Sequence, residues 1–418
     1  MSEPKLKTPK PFDISKWVVM EAFQKVKANQ GAAGVDGESI EEFEKDLKGN
    51  LYRIWNRMSS GSYFPPPVRA VEIPKRAGGS RVLGVPTVSD RIAQTVVKIY
   101  LEPEVEPIFH PDSYGYRPGR SALDALGRTR ERCWKFDWVI DLDIRAFFDS
   151  IDHDLMLKAL AKHTKERWIL LYVERWLKAP LEKEDGATVQ RDRGTTQGSA
   201  ISPLLANLFL HYAFDVWMAR NFPDCPFERY ADDGVIHCAT EQEVLVALGK
   251  RLAELGLELH PDKTAIVYCK DANRKGFYEY EQFDFLGYRF RPRLAKNRRG
   301  QFFVGFAPAI SNTAAKEIRH QIKRWRLHLH SDMELEELAT FVNPIVRGWI
   351  NYYGRFYPSR LVRSGRQIDE YLIRWARQKY KRLRTSLRRT LRWLRGVKRH
   401  SPTLFAHWSQ TRTALPAR

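Results

Sequence analysis

The spacing of apolar and polar residues divides the chain into a mixed first two thirds and a helical last third. Residues 1 to 60 read as polar and helical, interrupted by the Gly-rich loop "NQGAAGVDGES" (29 to 39). After the stiff Pro-rich connector "SYFPPPV" come two β-branched runs, "VRAVEIP" and "RVLGVP". Separated by "KRAGGS", they predict a hairpin with a Gly78-Gly79 tip. "SDRIAQTVVKIYLEPEVEPIF" has helical spacing behind a Ser-Asp cap signal, and "WVIDLDIRAFFDSIDHDLMLKALAKH" predicts strand, turn and helix. In "TTQGSAISPLLANLFLHYAFDVWMARN", Ser202 is the expected N-cap and Pro203 the first helical residue. Strand-like 227–230 and 235–238 flank an Asp-Gly turn in "RYADDGVIHC". "EQEVLVALGKRLAELG" predicts a helix ending at Gly256. "LELH", the turn "PDKT" and "AIVYC" predict another hairpin, and "FDFLGYRF" one more strand. From Ala314 onward the pattern is helical and rich in Arg and Trp. Strands and helices mixed this irregularly predict an α+β fold.

Of the 418 residues 43% are hydrophobic, enough for two or three packed domains. The longest apolar run, Trp168 to Val173, is far shorter than a membrane span, so no membrane partner is expected. The N-terminal stretch lacks the apolar core of a secretory signal. The four cysteines form no C-x-x-C pair, which argues against zinc and disulfides and for a reducing cytoplasm. Charge changes the picture more. The net charge is +20, but Arg289 to Arg418 holds 30 Lys and Arg against 7 Asp and Glu. The remainder holds 40 against 43, so all of the excess lies in the last third. A basic block interleaved with Trp and Tyr predicts a polyanionic partner, most simply nucleic acid.

The candidate chemistry is carboxylate. Asp232 and Asp233 taken alone could be an ordinary turn. Asp141 and Asp143, however, share one face of a strand otherwise made of Val139, Ile140, Leu142 and Ile144. Carboxylates on an apolar strand are costly unless cations neutralise them or the strand end reaches water. A calcium loop is excluded, because its sixth position is Ala146 and its twelfth Asp152. If the 227–238 hairpin lies beside this strand, Asp143, Asp232 and Asp233 converge and need cations. Hard oxygen ligands suit Mg²⁺, and a pair of such ions suits in-line phosphoryl chemistry.

"YADD" on a hairpin, preceded by "DLDIRAFFDSID", resembles the catalytic pair of reverse transcriptase motifs. "GAAGVDG", "IPKRAGGSRVLGVPTVSDRIAQ", "SYGYRPGRSALDAL", "GTTQGSAISPLLANLFL", "LGLELHPDKTAIVYC" and "FDFLGYRF" resemble successive blocks of group II intron reverse transcriptases. "GWINYYGRF", "IDEYLIRWARQKYKRLR" and "SPTLFAHW" are similar to that family's thumb and maturase region in bacterial members. The resemblance runs from about residue 29 to about 410. Thr196 stands where the family has Pro in "GTPQG", and Ser199 also departs from the pattern. No Cys-pair and His endonuclease module follows, so second-strand cleavage is not expected, and retrohoming would need a primer supplied otherwise.

The resemblance implies a right-hand polymerase. Residues 1–60 extend the fingers, 61–290 form fingers and palm (antiparallel sheet plus helices), and 291–418 form a helical thumb with a strongly basic maturase region. It implies RNA-templated DNA synthesis with two Mg²⁺ ions, Mn²⁺ being able to substitute. Asp143 and Asp232 would bridge the ions, Asp233 would be more peripheral, and the Ile144 carbonyl would assist. Asp141 is read as structural. Lys75 and Arg81 would bind the triphosphate of a dNTP, and Phe148 would sit under its sugar, with Phe147 in the core. Gln197 and Gly198 would meet the nascent base pair, and Tyr230 the primer end. Lys263 is read as a candidate phosphate contact. Arg374, Arg377, Lys381, Arg384, Arg388 and Arg392 recur at helical spacing and would bind RNA, with Trp375, Tyr380 and Trp393 available to stack on bases. The implied partners are group II intron RNA, target DNA with its primer strand, and dNTPs. The expected location is the bacterial cytoplasm, at the nucleoid. Two alternatives stay open: a host-adopted relative in defence or repair, and a non-catalytic splicing cofactor.

Overall fold

A computed structural model describes residues 10–74, 79–239, 242–297 and 299–413. Its strands are β1 (Val68–Pro74), β2 (Ser80–Val85), β3 (Trp138–Asp143), β4 (Leu181–Glu182), β5 (Thr188–Val189) and β6 (Phe227–Tyr230). They are followed by β7 (Asp233–Cys238), β8 (Ala265–Tyr268), β9 (Phe283–Phe285), β10 (Tyr288–Lys296) and β11 (Phe302–Ile310). Three sheets result, ordered β2-β1-β4-β5, β6-β7-β3-β8 and β11-β10-β9. The α+β class stands. Pairing is antiparallel in β1·β2, β4·β5, β6·β7 and β3·β8, whereas β1 meets β4 in parallel. No described helix is long and apolar enough to cross a membrane.

The chain forms two compact units. One gathers the described residues up to Ser121, Leu142–Ile236 and those up to Thr264; the other gathers Ala122–Asp141, His237–Ala239 and those from Ala265 onward. In the first unit the helix Lys16–Asn29 ends where the Gly-rich loop begins. That loop is fixed on the start of the helix Val88–Val105. The Arg91 guanidinium donates to the Gln30 and Ala32 carbonyls (both 3.0 Å), and a Cβ on Gly34 would meet Thr87 backbone at 2.6 Å. The cap of this helix is Thr87, which accepts from Asp90 N, rather than the Ser-Asp pair after it.

Asp90 itself is buried and accepts three hydrogen bonds, from Tyr63 Oη (2.9 Å), Trp176 Nε1 (2.7 Å) and Gln94 Nε2 (3.0 Å). Gln94 Oε1 accepts from Ala200 N at 2.9 Å and so extends the network to the loop before the helix Ser202–Leu210. That helix is capped at Ile201 with Ser202 already inside it, because the Ser202 hydroxyl is engaged by Thr195 Oγ1 at 2.7 Å.

Two expected pairings are redistributed. "LELH" does not pair with "AIVYC". Leu259 bridges Ile144, while β8 pairs with Trp138–Asp141. "FDFLGYRF" is not one strand but the hairpin β9–β10, closed by Leu286 (φ 48°) and Gly287 (φ 77°). Two positive φ values make the tight turn that suits strand twist.

In the second unit, β10 and β11 form a long antiparallel ribbon. The expected boundary at 290/291 therefore cuts a strand. The helices Asn312–Arg324, Leu335–Tyr353, Val362–Lys379, Leu387–His400 and Ala406–Thr413 follow. Their apolar faces share one core that includes Ile322, Leu338, Val342, Leu372 and Trp375. The last helix is held by Asp369, which accepts from His407 Nε2 (3.1 Å), Trp408 Nε1 (2.9 Å) and Lys398 Nζ (2.5 Å).

Burial pushes the Asp90 carboxyl up from its ordinary 3.8 to about 6, against the three donors that oppose the shift. The folded state therefore holds this proton more tightly than the unfolded chain. The resulting stability is complete below about pH 4 and is lost as pH rises through about 6. Asp90→Asn, which cannot titrate, should be less stable than wild type at pH 4. The gap in urea-unfolding free energy should narrow by up to about 3 kcal/mol by pH 7. A gap independent of pH would contradict the assignment.

Candidate active site

The β6–β7 hairpin carries the paired aspartates. Tyr230 pairs with Asp233, so the loop is only Ala231 and Asp232, with Ala231 at φ 59°. The expected Asp-Gly turn is thus corrected: Asp233 and Gly234 belong to β7. Gly234 serves close approach instead of turn freedom. A Cβ there would lie 2.9 Å from Leu142 Cδ1, next to Asp143.

Left-handed backbone at a non-glycine residue costs about 1–2 kcal/mol and needs support. The support is Arg229, almost wholly buried, whose Nη1 donates to the Ala231 carbonyl at 3.0 Å. Its Nε and Nη2 grip the two Asp215 oxygens at 2.7 Å each, and Nη1 also reaches Asn207 Oδ1 at 3.1 Å. Asp215 ends a π-helical turn, His211–Asp215, an irregularity common near functional sites. Asn207 Nδ2 donates to the Gly115 carbonyl at 2.7 Å. Gly115 lies against the turn so closely that a Cβ would meet Ala231 N at 2.4 Å. Backbone bonds from Arg229 N to Asp112 O (2.9 Å) and from Tyr114 N to Arg229 O (2.8 Å) complete the clamp. Arg229, Asp215, Asn207 and Gly115 escaped the sequence reading. The available signal was the charged pair Glu228-Arg229 inside a short strand flanked by Phe227 and Tyr230.

Asp143 ends β3. Its Oδ2 lies 2.9 Å from Lys263 Nζ, and its carbonyl accepts from His260 N at 2.8 Å. The "HPDK" turn therefore brings Lys263 to a carboxylate, where it was expected to meet phosphate. Ile144 is buried beside it. Burial first, then the Asp143 charge, raises the Asp232 carboxyl. Burial, then Asp232 and Asp143, raises Asp233, and Lys263 opposes both shifts. Asp233 keeps exposed surface, so solvent screens part of its shift. Tyr116 was also missed. Its ring lies 6.5 Å from that of Tyr230, and burial followed by the Asp232 charge raises its hydroxyl.

Asp143, Ile144 and Asp232 line a cleft of about 1530 Å³ together with Arg81, Phe148, Gln197 and Lys263. Asp141, Asp233 and Gly198 are not among its lining residues. Asp141 sits on β3 opposite Ala265. Gly198 (φ 113°) instead abuts β2, where a Cβ would meet the Gly84 carbonyl at 2.5 Å. Phe147 is buried, and Lys75 lies outside the described residues. Among the described residues no three His, Cys, Asp or Glu side chains are gathered as a metal-ligating group. The donors at hand are nonetheless all oxygen. Burial and mutual repulsion at Asp232 and Asp233 are what a hard divalent cation would relieve.

In the basic third, Arg374, Lys381, Arg384, Arg388 and Arg392 are exposed, while Arg377 is half-buried and donates to the Arg384 carbonyl at 3.0 Å. Their regular spacing is interrupted, since the helix Val362–Lys379 stops and Leu387–His400 starts anew. The aromatics do not stand ready for bases. Trp375 is fully buried and donates to the His330 carbonyl at 2.8 Å, and Tyr380 and Trp393 pack against it. Core packing claimed these rings because Trp375 and Trp393 lie on the apolar faces of their helices, and Tyr380, at the end of the first, packs between them.

Residues 73–290 match the family model for reverse transcriptase (RNA-dependent DNA polymerase), and residues 315–393 match the group II intron maturase-specific domain. Protein YkfC of Escherichia coli is 30% identical over 316 residues, which is 64% of this chain and 79% of that protein. The group II intron-encoded protein LtrA of Lactococcus lactis is 33% identical over 193 residues, 46% of this chain and 32% of that protein. An uncharacterized 91 kDa protein in the cob intron of Schizosaccharomyces pombe is 32% identical over 204 residues, covering 48% of this chain and 25% of that protein. With a reverse transcriptase domain across half its length and a maturase-specific domain behind it, the chain belongs to the group II intron-encoded reverse transcriptases.

Proposed function

We propose that this reverse transcriptase extends a DNA primer on an RNA template by two-metal catalysis, with Asp143 and Asp232 as the carboxylates that would hold the ions. The observation that carries this is the single cleft lined by both aspartates and by Arg81, Phe148 and Gln197. Two Mg²⁺ ions, for which Mn²⁺ can substitute, would lower the pKa of the primer 3′-hydroxyl and stabilise the leaving pyrophosphate. Asp143, Asp232, the Ile144 carbonyl and the more peripheral Asp233 are the ligands on offer. Arg81, with Lys75, matches the triphosphate charge of a dNTP. Phe148 presents an aromatic wall to its sugar, and Gln197 a polar edge to the new base pair. Lys263 keeps Asp143 neutralised and stands beside any phosphate bound there.

The maturase role is to hold folded intron RNA, whose own active site performs splicing. The exposed cations Arg374, Lys381, Arg384, Arg388 and Arg392 neutralise phosphates through counterion release. Target DNA is the second polyanion that this surface suits.

In primer extension with an RNA template, dNTPs and Mg²⁺, Asp143→Asn and Asp232→Asn should each lower the rate by about 10³-fold or more. RNA affinity should stay within about twofold of wild type. Extension at the wild-type rate by either variant would refute the assignment. Phe148→Ala should raise ribonucleotide incorporation relative to deoxyribonucleotide by about tenfold or more, an unfilled space being unable to exclude a 2′-hydroxyl. For RNA binding, the pair Arg388→Ala and Arg392→Ala should reduce the slope of log affinity against log salt by roughly 1.5. An unchanged slope would remove these residues from the interface.

A further inference from the structure

Residues 194–200 are tied to three different segments of the first unit: 148–151, the helix Val88–Val105 and β2. Gly194 N donates to the Ile151 carbonyl and Thr195 N to the Phe148 carbonyl, both at 2.7 Å. Ala200 N meets Gln94, as described above. The Gln197 carbonyl accepts from Gly84 N on β2 at 2.8 Å. Between these anchors stands Thr196, which is buried. Its Oγ1 accepts from Arg191 Nη1 at 2.6 Å. The same guanidinium donates from Nε to the Ala179 carbonyl and from Nη2 to the Trp176 carbonyl, both at 2.9 Å. Arg191 thereby references Thr196 to the end of the helix Arg167–Lys178. The Thr196 methyl fills the space beside Gly84 so fully that a Cβ on Gly84 would fall 1.9 Å from Thr196 Cγ2.

Thr196 also departs from the family pattern, where a proline restricts the backbone by its ring. Threonine has no such restraint, and here the side chain is held at both of its ends. We propose that Thr196 is a positioning residue for the incoming nucleotide: its hydroxyl, held by Arg191, and its methyl, seated on Gly84, fix Gln197 relative to the strand that carries Arg81. This inference rests on the reading of Gln197 and Arg81 as dNTP contacts. Thr196 touches no substrate. It acts through the residue that follows it, so its loss should appear in nucleotide binding and not in the chemical step.

The test is single-nucleotide incorporation on an RNA template with a DNA primer, separating KM for the dNTP from kcat. Thr196→Val keeps the shape but removes the acceptor. It should raise KM about three- to tenfold with kcat within about twofold, as expected when one hydrogen bond to a charged donor is lost. Thr196→Ser keeps the acceptor but loses the methyl, so it should raise KM by less than Thr196→Val does, with kcat within about twofold of wild type. A second route does not depend on the valine variant folding. Gly84→Ala would put its Cβ 1.9 Å from the threonine methyl and 2.8 Å from Val68 Cγ1, so it should raise KM, and adding Thr196→Ser, which deletes the closer contact, should recover part of the loss. An unchanged KM in Thr196→Val overturns the inference, as does a fall in kcat equal to the rise in KM, or a Gly84→Ala defect that Thr196→Ser leaves unrelieved. A wild-type protein that incorporates no nucleotide overturns the functional reading, and this inference with it.

Discussion

The turn that carries Asp232 depends on a buried ion pair between Arg229 and Asp215. Burying such a pair is costly unless its geometry is good and the remaining hydrogen-bonding groups are satisfied. Here the pairing is bidentate, and the third guanidinium nitrogen serves both the Ala231 carbonyl and Asn207. What the pair secures is conformation. It holds Ala231 in left-handed backbone, and Asp232 follows directly. Gly115 closes the other side, leaving no room for a side chain against Ala231 N. The turn is thus enclosed by a cation, an amide and a bare glycine, each fixed by a different segment.

Electrostatics at the turn opposes this order. Asp232 and Asp233 are raised by burial and by their neighbours' charge, with Lys263 as the counterweight. A site that concentrates negative charge in a partly desolvated cleft is suited to hard cations and to phosphate chemistry carried by them. The chain segregates its functions by charge. The candidate carboxylates belong to a part with nearly balanced charge, and the cationic excess lies on the strand Tyr288–Lys296 and on helices whose apolar faces share a core of their own. On those helices the outward arginines and lysines, not the packed rings, are what a polyanion would meet.

Much of the fold was legible. Strands announced by β-branched residues, the loop at 29–39 and the tail helices are where local pattern put them. The three aspartates were singled out because acidic residues on apolar strands stand out against their surroundings. The errors came from segments whose partners are remote in sequence. "LELH" has strand character, but whether it pairs with "AIVYC" or with residues after Asp143 is not written in either segment. "FDFLGYRF" looked continuous because Leu286 gives no local sign of a positive φ. Trp375 and Trp393 sat among arginines in the sequence, yet helical projection turns the two residue types to opposite sides.

The sequence by itself determined the class of fold, the family and the candidate carboxylates, because these reside in residue type, order and short-range spacing. Only the tertiary structure decided that Arg229, Asp215, Asn207 and Gly115 hold the aspartate turn, that Lys263 faces Asp143, and that Thr196 is clamped between Arg191 and Gly84. Most of these are contacts between segments remote in sequence, Lys263 with Asp143, Gly115 with Ala231 and Gly84 with Thr196 among them. Such contacts depend on close packing and directional hydrogen bonds, and both arise only once the segments have been brought together.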